Sequence, residues 1–228
     1  DAGELRIQDG DILAVTEAVV ARSQGNYATT DQLAEDVRSK FKPGPVGLVF
    51  PILSRNRFAV QLRGIARGTD HVVILLSYPG DEVGNPLVDP DLLDAKNVDP
   101  CRDVLTEEDF EALFGRSRHP FTAMDYVAYY KELIAGEGAK ATVLFANDPR
   151  AILRYTDQVL TCDIHTRART KRRLREAGCR LVLGLDDLLT APVSGSGCNP
   201  EFGILGSNKA TEERIKLFPT GCAEFALD

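Results

Sequence analysis

Apolar runs and amphipathic segments alternate along the chain. The apolar runs predict strands at residues 11–16, 46–52, 71–77, 141–146, 158–162 and 180–185. Segments with helical spacing predict helices at residues 30–40, 55–67, 106–114, 122–135 and 166–177. In the C-terminal half these elements form two consecutive strand, helix, strand units, which favours a mostly parallel sheet.

The pattern therefore predicts an α/β protein with a mixed, mostly parallel sheet and flanking helices. The run at 71–77, HVVILLS, is apolar almost throughout and predicts a central strand. A chain of 228 residues fits either one domain over residues 1–228 or two unequal lobes. Residues 78–105 are rich in Pro, Gly, Asp and Asn and are too long for an ordinary connection, so we expect an excursion near 78–121.

Composition narrows the functional classes. Hydrophobic residues make up 43% of the chain, and no apolar run approaches the ~20 residues that cross a bilayer. Nothing at the start reads as a signal peptide, and the five cysteines form no C-x-x-C pair. We therefore expect a soluble cytoplasmic protein without a membrane partner. The formal charge of −7 argues against broad nucleic-acid binding, because that function needs a basic surface.

A glycine-rich polar loop at residues 191–209 offers a candidate anion site. Its glycines let backbone N–H groups converge on a phosphate, and a helix predicted from Ala210 would add its unpaired N-terminal donors. We expect the phosphate contacts from Gly206, Ser207, Asn208 and Lys209. The loop lacks the standard P-loop spacing, so a surface loop with a Ser or Asn helix cap remains the alternative.

Acidic residues and one histidine follow three predicted strands. In open α/β sheets ligands gather beyond the carboxyl ends of the strands, so these side chains are candidates for a shared cation site. We expect Mg²⁺ or Mn²⁺ to be held by Asp148, Asp163, His165 and Asp187. The alternatives are structural, since Asp148 before Pro149 also suits a helix cap and His165 also suits a hydrogen-bonding role.

Basic side chains next to two predicted strands supply further contacts. Arg167, in the first turn of a very basic helix, is expected to reach a phosphate beside Asp163, whereas most of that charge run suits a solvated face. Arg55 and Asn56 are expected to contact substrate, although Ser54 before them also suits helix capping. No nucleophile motif is present, so the catalytic residues are unassigned.

Four segments together resemble one family. Residues 10–25, GDILAVTEAVVARSQG, resemble the N-terminal motif of coenzyme F420-0:L-glutamate ligases, and residues 124–148 resemble that family's central segment. Residues 163–167, DIHTR, and 206–212, GSNKATE, are similar to a bacterial branch described as F420 ligase-like.

The resemblance implies an amide ligase that uses GTP and a divalent metal. Such an enzyme joins L-glutamate to a carboxylated small molecule through an acyl phosphate, usually as a homodimer. A lysine and a serine of the family's first motif are replaced near Glu17 and Ala21, and its Asp-x-x-Gly motif is not recognisable. These departures leave the acceptor open between an F420-0-like and a folate-like molecule. A non-catalytic nucleotide- or metabolite-binding protein and a metal-dependent phosphate hydrolase are the alternative functions.

Overall fold

The computed structural model describes residues 8–116, 118 and 123–221 of the chain. Seven helices are described: α1 Glu17–Ser23, α2 Thr30–Lys40, α3 Ala59–Arg67, α4 Pro90–Lys96, α5 Glu107–Phe114, α6 Tyr126–Gly136 and α7 Arg167–Glu176. The described strands are β1 Tyr27–Thr29, β2 Pro45–Val49, β3 His71–Leu76, β4 Leu105–Thr106, β5 Lys140–Phe145, β6 Gln158–Thr161, β7 Leu181–Gly184, β8 Asn208–Thr211 and β9 Arg214–Lys216.

A six-stranded sheet in the order β4-β5-β3-β2-β6-β7 forms the centre of the fold. Every neighbouring pair is parallel except β4 with β5 at one edge. The predicted α/β class with a mixed, mostly parallel sheet and flanking helices is therefore confirmed. The apolar run at 71–77 lies inside the sheet as β3, between β5 and β2, which explains why both faces of the strand are apolar.

Two cores lie on opposite faces of this sheet. Leu48 and Ile74 point into one core with the apolar residues of α2, α3 and α6. Val49 and Val73 point into the other, where Leu174 of α7 covers the sheet. This alternation is the two-residue period of a strand, and both faces are buried because the crossover helices cover them.

Helix starts follow the capping residues in the sequence. The side chain of Thr29 accepts a hydrogen bond from the backbone of Gln32 and caps α2, whereas the sequence suggested Thr30 as the cap. Thr106 and Asp109 form the expected capping box of α5. Asp125 caps α6, whereas the predicted cap Thr122 lies outside the described residues.

The predicted helix at 55–67 begins only at Ala59. The backbone N–H groups of Phe58 and Ala59 both donate to the carbonyl of Ser54, at 3.1 and 3.0 Å, so the intervening residues form turns rather than a helix. The exposed residues Arg55 and Asn56 lie in these turns.

The predicted strand at 11–16 is wrong. The structure has no strand there, and Ile12 and Leu13 are 94% and 74% exposed. An apolar run becomes a strand only when a neighbour takes its backbone hydrogen bonds, and within the described residues none does so. The chain becomes helical at α1 instead.

The helix predicted from Ala210 is also wrong. Residues after the glycine-rich loop form the hairpin β8–β9, which joins β1 in a separate three-stranded sheet. Thr211 and Ile215 are the strand-favouring residues of this hairpin, and the pairing of β9 with β1 overrides the helix-like capping pattern. The loop therefore has no helix dipole behind it.

The expected excursion after residue 78 returns to the sheet at β4. Within it the chain forms α4, and the hydroxyl of Tyr78 donates to the carbonyl of Asp103 at 2.9 Å, which ties its two ends together. No helix among the described residues is long and apolar enough to cross a membrane.

Candidate functional site

The order of the strands defines where a ligand is expected. From β2 the chain builds the sheet in one direction through β3 and β5, then returns to the other side of β2 for β6 and β7. The switch point therefore lies between the carboxyl ends of β2 and β6, and open α/β sheets bind ligands in the crevice outside such a point. Two cavities open near this edge.

The first cavity, here called the apolar pocket, has a volume of about 450 Å³. Its walls come from α1, the start of α3, the residues after β6 and β7, and the end of the glycine-rich loop. It is lined by Glu17, Ile52, Arg57, Phe58, Gln61, Cys162, Ile164, Leu185, Leu205, Gly206, Ser207, Asn208 and Phe218. Most of these side chains are apolar, and five of them belong to the core.

Gly206 brings the glycine-rich loop against the wall of the apolar pocket. Its φ of +70° favours glycine, and an added Cβ would meet the ring of Phe218 at 2.4 Å. The close approach of backbone to ring explains a glycine here without any need for a bound phosphate.

Gln61 is the buried polar side chain in the wall of the apolar pocket with an unused acceptor. It is 3% exposed, and its Nε2 donates to the carbonyl of Ile204 at 3.2 Å and to Oγ of Ser207 at 2.8 Å. Its Oε1 is buried and has no hydrogen-bond partner within the part of the chain that is described. Buried polar atoms are nearly always paired, so this one requires a physical reason.

The second cavity, here called the polar cleft, has a volume of about 420 Å³. It lies at the carboxyl ends of β2, β3 and β5 and beside the first turns of α7. Its lining consists of Phe50, Ser77, Tyr78, Pro79, Gly80, Asp81, Glu82, Asn147, Pro149, Thr166, Arg169, Thr170 and Arg173. Two arginines and two carboxylates give the cleft groups of both charges.

The charged groups of the polar cleft differ in how far they are already paired. Arg173 binds Asp148 at 3.1 Å, whereas the exposed Arg169 has no ion pair among the described residues. Glu82 accepts hydrogen bonds from the backbone of Ile164 and His165. Burial raises the pKa of Glu82, and these two backbone bonds oppose that shift. Arg169 is therefore the cation in this cleft that is available to an anionic ligand.

Asp163 lies in sequence between residues that line the two cavities, since Cys162 and Ile164 line the apolar pocket and Thr166 lines the polar cleft. The carboxylate is fully buried, and its Oδ2 accepts the hydroxyls of Thr166 and Thr170 at 2.7 and 2.8 Å. Its Oδ1 is buried without a partner among the described residues. Burial raises the pKa of Asp163, and the two hydroxyl bonds act in the opposite direction.

The four predicted metal ligands do not gather in one place. Asp148 binds Arg150 and Arg173, and Asp187 binds Lys171 at 2.6 Å. Asp148 also accepts from the backbone of Arg150, which matches the alternative capping role. The described residues contain no group of three or more His, Cys, Asp or Glu side chains that could hold a metal ion. Metal binding by Asp148, Asp163, His165 and Asp187 stays a prediction.

The predicted phosphate ligands are divided between several environments. Gly206, Ser207 and Asn208 line the apolar pocket, while the side chain of Lys209 pairs with Glu212 in the β8–β9 turn. Arg167 is bound to Asp186 at 3.1 Å and to the carbonyl of Ile164. Phosphate binding by these five residues stays a prediction.

The predicted substrate contacts Arg55 and Asn56 immediately precede a residue that lines the apolar pocket, but they do not line the pocket themselves. The carbonyl of Asn56 accepts the N–H of Lys209 at 2.7 Å, so its backbone holds the loop to the start of α3. The next residue, Arg57, does line the pocket. Sequence reasoning missed Gln61 and Glu82, because a glutamine within a helix and a glutamate in a long loop carry no motif.

Comparison with known proteins identifies one family. The family model described as F420-0:Gamma-glutamyl ligase matches residues 1–228, the whole chain. Comparisons with curated proteins and with solved structures gave no match. The resemblance drawn from four short motifs is confirmed by this match: the chain belongs to the F420-0:gamma-glutamyl ligase family.

Proposed function

We propose that the protein joins L-glutamate to a carboxylated small molecule at the carboxyl edge of the six-stranded sheet. The family supports glutamate ligation in general. The observation that supports this location for the reaction is the pair of cavities at the switch point, one apolar and one polar. Residues close to Asp163 in the chain line both of them. A ligase of this kind must hold a largely organic acceptor beside a phosphate donor, and this edge offers room for both.

The reaction proposed here proceeds in two displacements. An oxygen of the acceptor carboxylate attacks the γ-phosphorus of GTP, which forms an acyl phosphate and releases GDP. The ammonium group of glutamate then loses one proton to solvent, its nitrogen attacks the acyl carbon, phosphate leaves, and the nitrogen loses a second proton to give the amide. Such chemistry depends on positioning and on neutralising phosphate charge, and it requires no protein nucleophile.

Arg169 and Arg173 would neutralise that phosphate charge in the polar cleft. Arg169 has no competing ion pair among the described side chains, and Arg173 shares its charge with Asp148 alone. Guanidinium groups suit this role because they present several N–H donors to phosphate oxygens. Glu82 supplies a carboxylate in the same cleft for the ammonium group of glutamate. The loop at Gly206 to Lys209 is the competing position for the phosphates.

We also propose that the reaction requires a divalent metal ion. The described carboxylates form no cage for a cation. Mg²⁺ usually binds through one or two carboxylates and the substrate phosphates, so we propose that Mg²⁺ or Mn²⁺ enters with the nucleotide. The homodimer is likewise a proposal, which rests on the family resemblance and which sedimentation equilibrium tests. The cytoplasmic location is a proposal that rests on the composition and the cysteine usage of the chain.

Turnover and binding measurements test the proposal. The protein is incubated with Mg²⁺ or Mn²⁺, GTP or ATP, labelled glutamate, and F420-0-like or folate-like acceptors, and the products are weighed by mass spectrometry. An acceptor heavier by one glutamate residue supports the ligase. Nucleotide binding without turnover would indicate the non-catalytic binding protein, and phosphate release without incorporation of glutamate would indicate the hydrolase.

A further inference from the structure

Arg57 gives the apolar pocket a cation that no carboxylate of the described chain binds. Its side chain is exposed, lines the pocket, and forms no ion pair or side-chain hydrogen bond within the described residues. The other charged residue of the lining, Glu17, is bound at 3.3 Å to Lys216, which is buried. The charges of that ion pair offset each other. The pocket therefore presents one uncompensated positive charge beside its apolar walls.

Hydrogen bonds on two sides fix the backbone that carries Arg57. The N–H of Arg57 donates to Oγ of Ser54 at 3.2 Å, and the N–H of Ser54 donates to the hydroxyl of Tyr130 at 2.9 Å. The carbonyl of Asn56 accepts the N–H of Lys209 at 2.7 Å, which ties the same turns to the end of the glycine-rich loop. The base of the arginine side chain is thus held in place before a ligand arrives, which lowers the cost of binding.

The charge of the pocket favours an anionic ligand with a single negative charge. The chain carries a formal charge of −7, so the protein as a whole does not attract anions and a local cation is needed. A guanidinium group presents parallel N–H donors to a carboxylate, whose single charge it balances. A phosphate monoester carries about −1.5 to −2 at neutral pH, which exceeds the one positive charge available here.

We propose that the apolar pocket binds a small molecule with an apolar body and a single carboxylate, and that Arg57 binds this carboxylate. The volume of about 450 Å³ is typical of small-molecule sites. The body of the ligand contacts the apolar walls, which include Ile52, Phe58, Leu185 and Leu205. The binding proposal is independent of the chemistry of ligation. Under the proposed function this molecule is the acceptor, and that identification alone rests on the proposed function.

Two naphthalene derivatives, 2-naphthoate and 2-naphthamide, form a matched pair of probes. They share an apolar two-ring body and nearly the same shape, but only 2-naphthoate is charged at neutral pH. An apolar cavity without a cation would prefer the amide, because a carboxylate loses more hydration on burial. With Arg57 as partner the preference reverses, and we expect calorimetric titration to show 2-naphthoate binding about tenfold more tightly. A third probe, 2-naphthyl phosphate, should bind more weakly than 2-naphthoate.

Three variants locate the effect. Arg57→Gln removes the charge at an exposed position and should lose the preference for 2-naphthoate. Arg22→Gln is the control, since Arg22 is an exposed arginine of α1 that does not line the pocket, and it should keep the preference. Arg55→Gln tests the neighbouring arginine that the sequence predicts as a substrate contact. Because Arg55 does not line the pocket, we expect the preference to remain in this variant as well.

The proposal is overturned if neither probe binds the parent, or if 2-naphthamide binds at least as tightly as 2-naphthoate. It is also overturned if the preference survives in Arg57→Gln or disappears equally in Arg22→Gln or Arg55→Gln. Tighter binding of 2-naphthyl phosphate would contradict a carboxylate site. The location is tested by NMR, since saturating 2-naphthoate should shift the methyl resonances of Ile52 and Ile164, and unchanged resonances would place the ligand elsewhere and overturn the proposal.

Failure of the ligase is distinguishable from these results. A protein that prefers 2-naphthoate through Arg57 but adds no glutamate to any acceptor would contradict the proposed function and leave the binding site standing. A protein that adds glutamate but shows no preference between the two matched probes would contradict the binding site and leave the proposed function standing.

Discussion

The apolar pocket and the polar cleft have similar volumes, about 450 and 420 Å³, but opposite linings. The apolar pocket is walled by side chains that belong to the core, whereas the polar cleft is walled by loop ends and a charged helix. The difference arises from the helices that cover the two faces of one sheet. Seven of the nine residues of α3 are buried, but only two of the ten residues of α7 are.

The comparison shows that a strand order alone does not specify a chemistry. The same switch point offers one cavity walled by buried apolar side chains and another walled by charged side chains. Mutations in the wall of the apolar pocket should therefore affect stability together with binding, whereas mutations of the exposed charged side chains in the polar cleft should affect binding with little change in stability.

The largest effect is expected from Phe58→Ala in the apolar pocket. Phe58 is 1% exposed, and its ring lies 5.8 Å from the ring of Tyr130. Loss of a buried phenylalanine side chain should lower the free energy of unfolding by about 3–5 kcal/mol. Urea unfolding measures this change. Arg169→Ala in the polar cleft is the control and should change the same quantity by less than about 0.5 kcal/mol. Equal losses of unfolding free energy in Phe58→Ala and Arg169→Ala would contradict the expected difference in stability between the apolar pocket and the polar cleft.

The next effect is expected from Thr170→Val, at a buried position in the lining of the polar cleft. Thr170 is 3% exposed and donates to Asp163 at 2.8 Å, and valine keeps its shape without the hydroxyl. A hydrogen bond to a charged group contributes about 1.5–3 kcal/mol, so we expect a loss of that size in the free energy of unfolding. Thr166→Val removes the other hydroxyl at a more exposed position and should cost less.

The pH dependence of this loss follows from the pKa of Asp163. The Thr170 hydroxyl lowers that pKa, which means that it stabilises the ionised carboxylate. Its contribution is therefore present above the folded-state pKa and declines as the pH falls through it. The loss caused by Thr170→Val should be smaller at acidic pH than at neutral pH, because protonation of the carboxyl group removes the charge that the hydroxyl stabilises. A loss that grows on acidification would mean that the hydroxyl stabilises the protonated form.

In the polar cleft, Arg169→Ala should weaken nucleotide binding with little change in stability. Removing one charge-assisted contact to a phosphate should raise the dissociation constant for GTP about tenfold. Calorimetric titration with GTP measures this change. Arg172→Ala is the matched control on the same helix, since Arg172 is exposed, pairs loosely with Glu176 and does not line the cleft. An unchanged affinity in Arg169→Ala would remove the polar cleft from the nucleotide site.

Sequence patterns predicted the elements whose signals are local. The apolar run at 71–77 became the inner strand β3, and Thr106 with Asp109 formed the expected capping box. The strand at 11–16 and the helix from Ala210 were wrong because partners distant in sequence decide those segments. The spacing of apolar residues or a capping residue indicates which structure a segment can form. The structure that residues 208–216 do form is determined by the pairing of β8 with β9 and of β9 with β1.

The site was predicted less completely than the fold. The sequence singled out Asp163 and Gly206, and Gly206 lines the apolar pocket, but the metal and phosphate roles predicted for these two residues stay predictions. Gln61 was missed because a glutamine within a helix carries no motif. Its hydrogen bonds go to Ile204 and Ser207, about 140 residues later in the chain, and only the folded structure shows that these residues lie beside it.

The smallest effect is expected from Lys209→Ala, which decides whether the glycine-rich loop contributes to the phosphate site. The side chain of Lys209 pairs with Glu212, which is 71% exposed, so its loss should cost less than about 1 kcal/mol of unfolding free energy. The backbone N–H that holds Asn56 is unaffected by the substitution. Because Lys209 is already paired and lies in β8 rather than before a helix, we expect the dissociation constant for GTP to rise by less than about twofold. A rise as large as that in Arg169→Ala would place the phosphates at the loop and leave the polar cleft to glutamate.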